Sequence, residues 1–179
     1  MDLHTPLNGE AIIKLGAGDI VTLSGFIYTA RDAAHKRMAE AVLSGGKPPF
    51  DYEGQVVFYA GPCPAPPGKP IGSIGPTTAG RMDAYAPVLI DAGLKVMIAK
   101  GNRQPPVVEA IKTHGGLYLA AVGGVAALMA KCVSSCEVVA YEDLGTEAVW
   151  KLYVKKMPVI VAIDQKGRSV YDLSKPKEL

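Results

Sequence analysis

Eight polar residues fall where the sequence places strand ends or helix starts: Arg31, Asp32, Thr77, Thr78, Arg81, Lys100, Asn102 and Arg103. The set is rich in cations and hydroxyls and poor in acids and histidines. Arginine forks match carboxylates bidentately and a lysine adds a point charge, so two or three of these cations can hold a dicarboxylate. Phosphate is the competing anion. The stretch from Ile71 to Asp83, I-G-S-I-G-P-T-T-A-G-R-M-D, carries the densest part of the set. Gly72, Gly75 and Gly80 allow sharp turns and close approach to a ligand. Thr77 or Thr78 can cap a helix beginning near Arg81, whose N-terminus would attract an anion. The stretch is not a Walker A loop, which needs a lysine followed by Ser or Thr.

The elements that must position these groups alternate in type. Asn8 caps a short helix that Gly16 stops, and Asp19–Thr29 alternates as one or two strands interrupted at Gly25, where a bulge fits. A helix follows to Leu43, with Thr29 and Asp32 spaced as a capping box. Arg31 falls in its first turn, where the dipole disfavours a cation, and an anionic ligand would explain it. Val56–Phe58 is a strand, and the Pro-rich run Gly61–Pro70 is extended and rigid. Arg81–Ala92 reads as a helix that Pro87 kinks or divides. Leu94–Ala99 is a strand ending at Lys100, Pro105-Pro106 opens a helix through Thr113 that Gly115-Gly116 stops, and Leu117–Val122 is a buried strand turning at Gly123-Gly124. Val125–Lys131 is helical, Cys132–Tyr141 extended, and Glu147–Leu152 a short helix or a strand start. Val159–Ile163 and Ser169–Tyr171 read as a terminal hairpin, with Ser174–Leu179 frayed. The strand–helix repeats argue for a parallel sheet with ligands beyond its C-terminal strand ends, and the β-rich ends suggest a second sheet.

Composition bounds the rest. The 179 residues, 49% hydrophobic and 20% charged, suffice for one folded domain over 1–179. A net charge of +2 implies neither nucleic acid nor an anionic membrane as partner, and no apolar run approaches a span of about 20 residues. Met1-Asp2-Leu3-His4 does not open like a signal peptide, and three cysteines cannot all pair, so a reducing cytoplasm is expected. Cys132 and Cys136 would face one side of a strand as buried thiols, and Cys63 lies among prolines. His4, His35 and His114 lack metal-ligand spacing and read as structural or surface groups.

Four motifs in order closely resemble the β subunit, or C-terminal domain, of iron–sulfur class I fumarases and L-tartrate dehydratases. They are Thr29–Arg37, Gly75–Asp83, Lys100–Arg103 and Tyr118–Gly124, with Val138–Gly145 extending the likeness. The resemblance implies a swivelling β/β/α three-layer domain, α/β in class, with a parallel central sheet and a second smaller sheet. It implies reversible hydration of fumarate to (S)-malate, a tricarboxylic acid cycle step, in an α2β2 complex. The [4Fe-4S] cluster would be ligated by the partner α subunit rather than by this chain. Thr77 would be catalytic, with Arg31, Arg81, Lys100 and Thr78 binding the C4 dicarboxylate and Asp32, Gly75, Gly80 and Asp83 in support. L-tartrate dehydration is the alternative activity, and a non-catalytic assembly or ligand-binding subunit the alternative of another class. Gln104-Pro105-Pro106 and the basic run Tyr153–Pro158 depart from the family pattern.

Overall fold

The computed structural model describes residues 1–121 and 124–173. Val122 and Gly123, read as a strand end and turn, and the frayed tail at 174–179 lie outside the described residues. The chain is mixed α/β. Its strands are β1 (Asp2–Thr5), β2 (Ile20–Thr29), β3 (Val56–Phe58), β4 (Val96–Ala99), β5 (Leu117–Ala120), β6 (Val133–Ala140) and β7 (Val149–Ile163). The helices are α1 (Gly9–Ile13), α2 (Asp32–Leu43), α3 (Ala86–Asp91), α4 (Pro105–His114), α5 (Ala126–Lys131) and α6 (Val170–Leu173), with 3-10 segments at Ala79–Met82 and at Glu142–Glu147, the latter broken by a kink at Gly145.

Strands β1 to β5 pair in parallel, as the strand–helix repeats require, and β7 runs antiparallel to β2, β5 and β6. The antiparallel strands therefore join the same hydrogen-bonded sheet instead of forming a separate second one. The reason is the length of β7. Its Trp150–Ile160 stretch lies along β2 while Ile160–Ile163 reaches β5, so the pairings run in a circuit β2–β3–β4–β5–β7–β2.

Period-two alternation then fills two cores. Val56, Phe58, Val96, Ile98, Leu117 and Leu119 point into the circuit, where they meet Val21, Leu23 and Ile27 of β2 and Leu152, Val154 and Val159 of β7. The alternate residues Val57, Met97 and Tyr118 face outward against Ala34 and Met38 of α2, Leu89 and Ile90 of α3, and Val107 and Ile111 of α4. Strands covered on both faces read as unbroken apolar runs, as these do.

Local signals hold at several ends. Asn8 accepts a hydrogen bond from the Ala11 N–H at 2.8 Å, Pro105 and Pro106 open α4, and Gly115 closes it in the left-handed conformation. The register between β2 and β7 shifts at Gly25. Others do not hold. Thr29 is the last residue of β2 and Arg31 occupies the N-cap position of α2 without a side-chain cap bond, so the Thr29–Asp32 capping box does not form. The helix read over Arg81–Ala92 is divided: a 3-10 turn ends at Met82, and α3 starts at Ala86 with Pro87 in its first turn, where a missing N–H costs nothing. The terminal hairpin shrinks to a single bridge, Ile163 to Ser169, because Val170 already turns into α6.

Candidate active site

The parallel strands β2, β3 and β4 end side by side, and the candidate residues follow those ends. Arg31 and Asp32 come directly after β2, and Lys100 directly after β4. The Thr77–Thr78 segment is laid between strand ends by the backbone alone. The Thr77 N–H donates to the Tyr59 carbonyl at 2.7 Å, the Lys100 N–H donates to the Thr77 carbonyl at 3.2 Å, and the Ala79 N–H donates to the Lys100 carbonyl at 2.8 Å. Thr78 and Lys100 thus form a parallel bridge. Gly75 packs closely just upstream: a Cβ there would come 3.1 Å from the Ala126 methyl, which would have to shift slightly to admit it. Gly80 has no such requirement: a Cβ would meet only the Asp83 carboxylate, at 4.0 Å.

Asp32 draws the two arginines together. Its Oδ1 lies 2.8 Å from Arg81 Nε and its Oδ2 lies 3.9 Å from Arg31 Nε. Arg31 is 26% exposed and Arg81 51%. Lys100, Thr78 and Gly80 are exposed and Thr77 is half-buried. Among the described residues, neither the Lys100 ammonium nor the Thr77 hydroxyl has a partner. Among the described residues, no hydrogen bond or ion pair joins the Arg31–Asp32–Arg81 group to the Thr77 or Lys100 side chains, so these are two separate groups on one face. A cavity of about 700 Å³ lies elsewhere, at the opposite strand ends, lined by Asn8, Tyr52, Lys95, His114 and Gln165.

The expected helix N-terminus at this stretch is absent. Thr78 stands at the N-cap position of one 3-10 turn, and its hydroxyl makes no cap bond. Such a turn has too few aligned peptides for a useful dipole, so any anion here must be held by side chains.

Beneath this face lies a buried polar layer. Arg103, gathered at the sequence level with the site cations, is withdrawn from it: its side chain is fully buried and its Nε is 2.8 Å from Asp83 Oδ1. The guanidinium sits 5.2 Å from the Tyr59 ring centre and 5.3 Å from that of Tyr118. The second Asp83 oxygen accepts from the Gln104 N–H at 2.7 Å. Asp83 therefore fastens the loop after β4. Asn102 only folds back on its own turn, accepting from the Arg103 N–H.

His35 is buried in the same layer, not on the surface. Its Nδ1–H donates to the Arg31 carbonyl at 3.0 Å and its ring meets Tyr59 edge-on at 4.5 Å. Burial pushes its pKa down from 6.5 to about 4, aided by the Arg103 charge and opposed by the Arg31 hydrogen bond. Across that window the unfolded chain binds a proton that the folded chain refuses. Stability from this residue is complete above pH 6.5 and falls on acidification towards pH 4, by up to ~3 kcal/mol. Imidazole NMR should find His35 neutral at pH 5.5; a midpoint near 6.5 would contradict its burial.

Two residues that matter here escape sequence inspection. Glu147 caps α2 from a distance, accepting from the Ala33 N–H at 3.0 Å, and pairs with Arg31 Nη2 at 3.6 Å. The one available signal was Arg31 itself, a cation at a helix start that needed an anion. The second is Gly61, where a Cβ would strike the Thr146 carbonyl at 2.5 Å and the Arg31 side chain at 3.1 Å.

Among the described residues, no three of His, Cys, Asp and Glu gather to hold a metal. Cys63 is exposed on the Pro-rich loop, while Cys132 and Cys136 pack on the inner core. Burial raises the Cys132 thiol and pushes Cys136 up to about 11, so neither is a ready thiolate ligand. These residues do not fit an iron–sulfur cluster. No helix among the described residues is long and apolar enough to cross a membrane.

Residues 1–174 match the family described as Fumarase C-terminus. The chain is 40% identical over 176 residues to the anaerobic class I fumarate hydratase of Escherichia coli (strain K12), covering 96% of this chain and 32% of that protein. It is 43% identical over 155 residues to the mitochondrial fumarate hydratase 1 of Leishmania major, covering 85% of this chain and 28% of the relative. It thus spans about a third of the length of these fumarate hydratases. A Methanocaldococcus jannaschii protein named "Putative L(+)-tartrate dehydratase subunit beta" is 38% identical over 176 residues, covering 93% of this chain and 88% of its own. Matched over nearly its whole length, and carrying the Arg31, Thr77–Arg81 and Lys100 segments at adjoining strand ends, the chain belongs to the Fumarase C-terminus family.

Proposed function

We propose that the chain is the substrate-binding half of a hydro-lyase that interconverts fumarate and (S)-malate. It acts with an α subunit that carries the [4Fe-4S] cluster, in an α2β2 assembly in the cytoplasm. The observation that carries this reading is the open face where Lys100 and Thr77, lacking partners among the described residues, flank the Arg31–Asp32–Arg81 group. A face of that kind suits a ligand enclosed from the other side. The tartrate dehydratase-type relative, nearly equal in length, supports a separate β subunit and keeps L-tartrate as the second reading. We also take the domain to be of the swivelling β/β/α type, the two cores supplying its layers.

In this reading Arg31, Arg81 and Lys100 hold the two carboxylates, Arg81 through the guanidinium edge that Asp32 leaves free, and Thr78 adds a hydroxyl. Proton removal beside a carboxylate builds a dianionic aci-carboxylate, and the same cations stabilise that added charge. Thr77 faces the C–H bond. A threonine hydroxyl is a weak base, so it needs a carboxylate from the partner to activate it.

The test is reconstitution with a cluster-bearing α subunit under anaerobic conditions and assay with fumarate, malate and L-tartrate. Turnover of fumarate and malate is expected. Turnover of tartrate alone selects the second reading, and none on any substrate with an intact cluster leaves an assembly or ligand-binding subunit.

A further inference from the structure

Glu147 uses both carboxylate oxygens at the start of α2, although it lies 114 residues from Ala33 in sequence. One oxygen accepts from the Ala33 N–H at 3.0 Å and the other faces Arg31 Nη2 at 3.6 Å. Arg31 stands at the N-cap, where the positive end of the helix repels a cation; a carboxylate at that point offsets the repulsion and orients the guanidinium. The backbone before Glu147 closes the same wall. Gly61 has room for hydrogen alone between the Thr146 carbonyl and the Arg31 side chain. The other side of Arg31 faces Asp32, which binds Arg81. The turn before Glu147, across a kink at Gly145, is fastened to α2 by Arg37, which forms a two-pronged pair with Asp143 at 2.8 and 2.6 Å.

We infer that Glu147 is a positioning residue for substrate binding: it fixes the direction in which Arg31 presents its guanidinium to a substrate carboxylate. The inference rests on the reading of Arg31 as a carboxylate ligand. Helix capping and arginine orientation can be separated, because the amide oxygen of Glu147→Gln still accepts from the Ala33 N–H while the charge facing Arg31 is gone.

The decisive comparison sets Glu147→Gln beside Arg31→Ala in the reconstituted complex. Glu147→Gln should raise KM for the dicarboxylate about tenfold, leave kcat within about threefold and lower Tm only slightly, with Glu147→Asp recovering part of the loss. A second measurement needs no turnover: NMR of the full chain should show several-fold faster exchange of the Arg31 Nη–H protons in Glu147→Gln. If KM and exchange stay at wild-type values while Arg31→Ala raises KM, Glu147 is a helix cap only and the inference is overturned, although the reading of Arg31 stands. If Arg31→Ala leaves KM unchanged, that reading fails and the inference goes with it.

Discussion

Asp83→Asn should destabilise the chain by about 3–5 kcal/mol, a large share of the ~5–15 kcal/mol that holds a domain folded. Asp83 is 8% exposed and Arg103 is fully buried, their charged atoms 2.8 Å apart. Asparagine can keep the hydrogen bond from the Gln104 N–H, but it strands the guanidinium in the interior. Two ring faces, one bond to the Tyr59 hydroxyl at 3.3 Å and a weak one to the Met97 sulfur at 3.7 Å then remain, too little to replace the lost solvation. Adding Arg103→Met to Asp83→Asn should recover much of the loss, since the double variant buries no charge. Urea denaturation at pH 7 checks both. A loss below 1 kcal/mol for the single variant would show that the guanidinium finds another partner. Because Asp83 follows the Thr77–Met82 segment and Arg103 follows Lys100, the same substitution should also loosen the two halves of the candidate site.

Thr77→Ala should lower kcat of the reconstituted complex by about 10²- to 10⁴-fold with little change in KM, the range for loss of a proton-transfer group. Stability should not follow. The hydroxyl has no partner among the described residues, and the backbone bonds to Tyr59 and Lys100 persist in alanine. Thr77→Ser keeps the hydroxyl and should retain most activity. Steady-state kinetics with fumarate and malate separate these outcomes, and a Thr77→Ala enzyme with more than a tenth of wild-type kcat would remove Thr77 from the proton-transfer role.

Local chemistry made some elements legible. Asn8, Pro105-Pro106 and Gly115 marked helix ends because each acts within one turn of itself. Strand β7 was hidden by a change of phase. Leu152 and Val154 are buried on even numbers and Met157, Val159 and Val161 on odd ones, so alternation breaks in the middle. The structure absorbs the slip at Lys155-Lys156, where β7 carries one more residue than β2 and Lys156 takes a φ of 48°. In sequence, the basic run Tyr153–Pro158 therefore shows no alternation that would join Glu147–Leu152 to Val159–Ile163. In the site, Arg31 and Lys100 could be gathered from the sequence because each follows a strand, and Thr77–Arg81 because glycines, hydroxyls and a cation crowd one short turn. Glu147 could not, since its link to Arg31 exists only through the fold. Arg103 shows the opposite error: a cation beside a strand end is not always a surface group, and two buried tyrosines were the sign.

The circuit of strands also sets the order in which the chain can fold. Ile20 pairs with Ile160, about 140 residues later, so one whole edge of β2 waits for the last long strand before it gains its ladder. Until then the inner core stands open along Val21, Leu23 and Ile27, an apolar strip that chaperones or other chains would find. During synthesis at roughly 5–20 residues per second that interval lasts roughly 7–30 seconds. The loops bearing Arg31, Thr77 and Lys100 hang from strands that cannot close before β7 arrives, so ligand-binding competence should appear late and all at once.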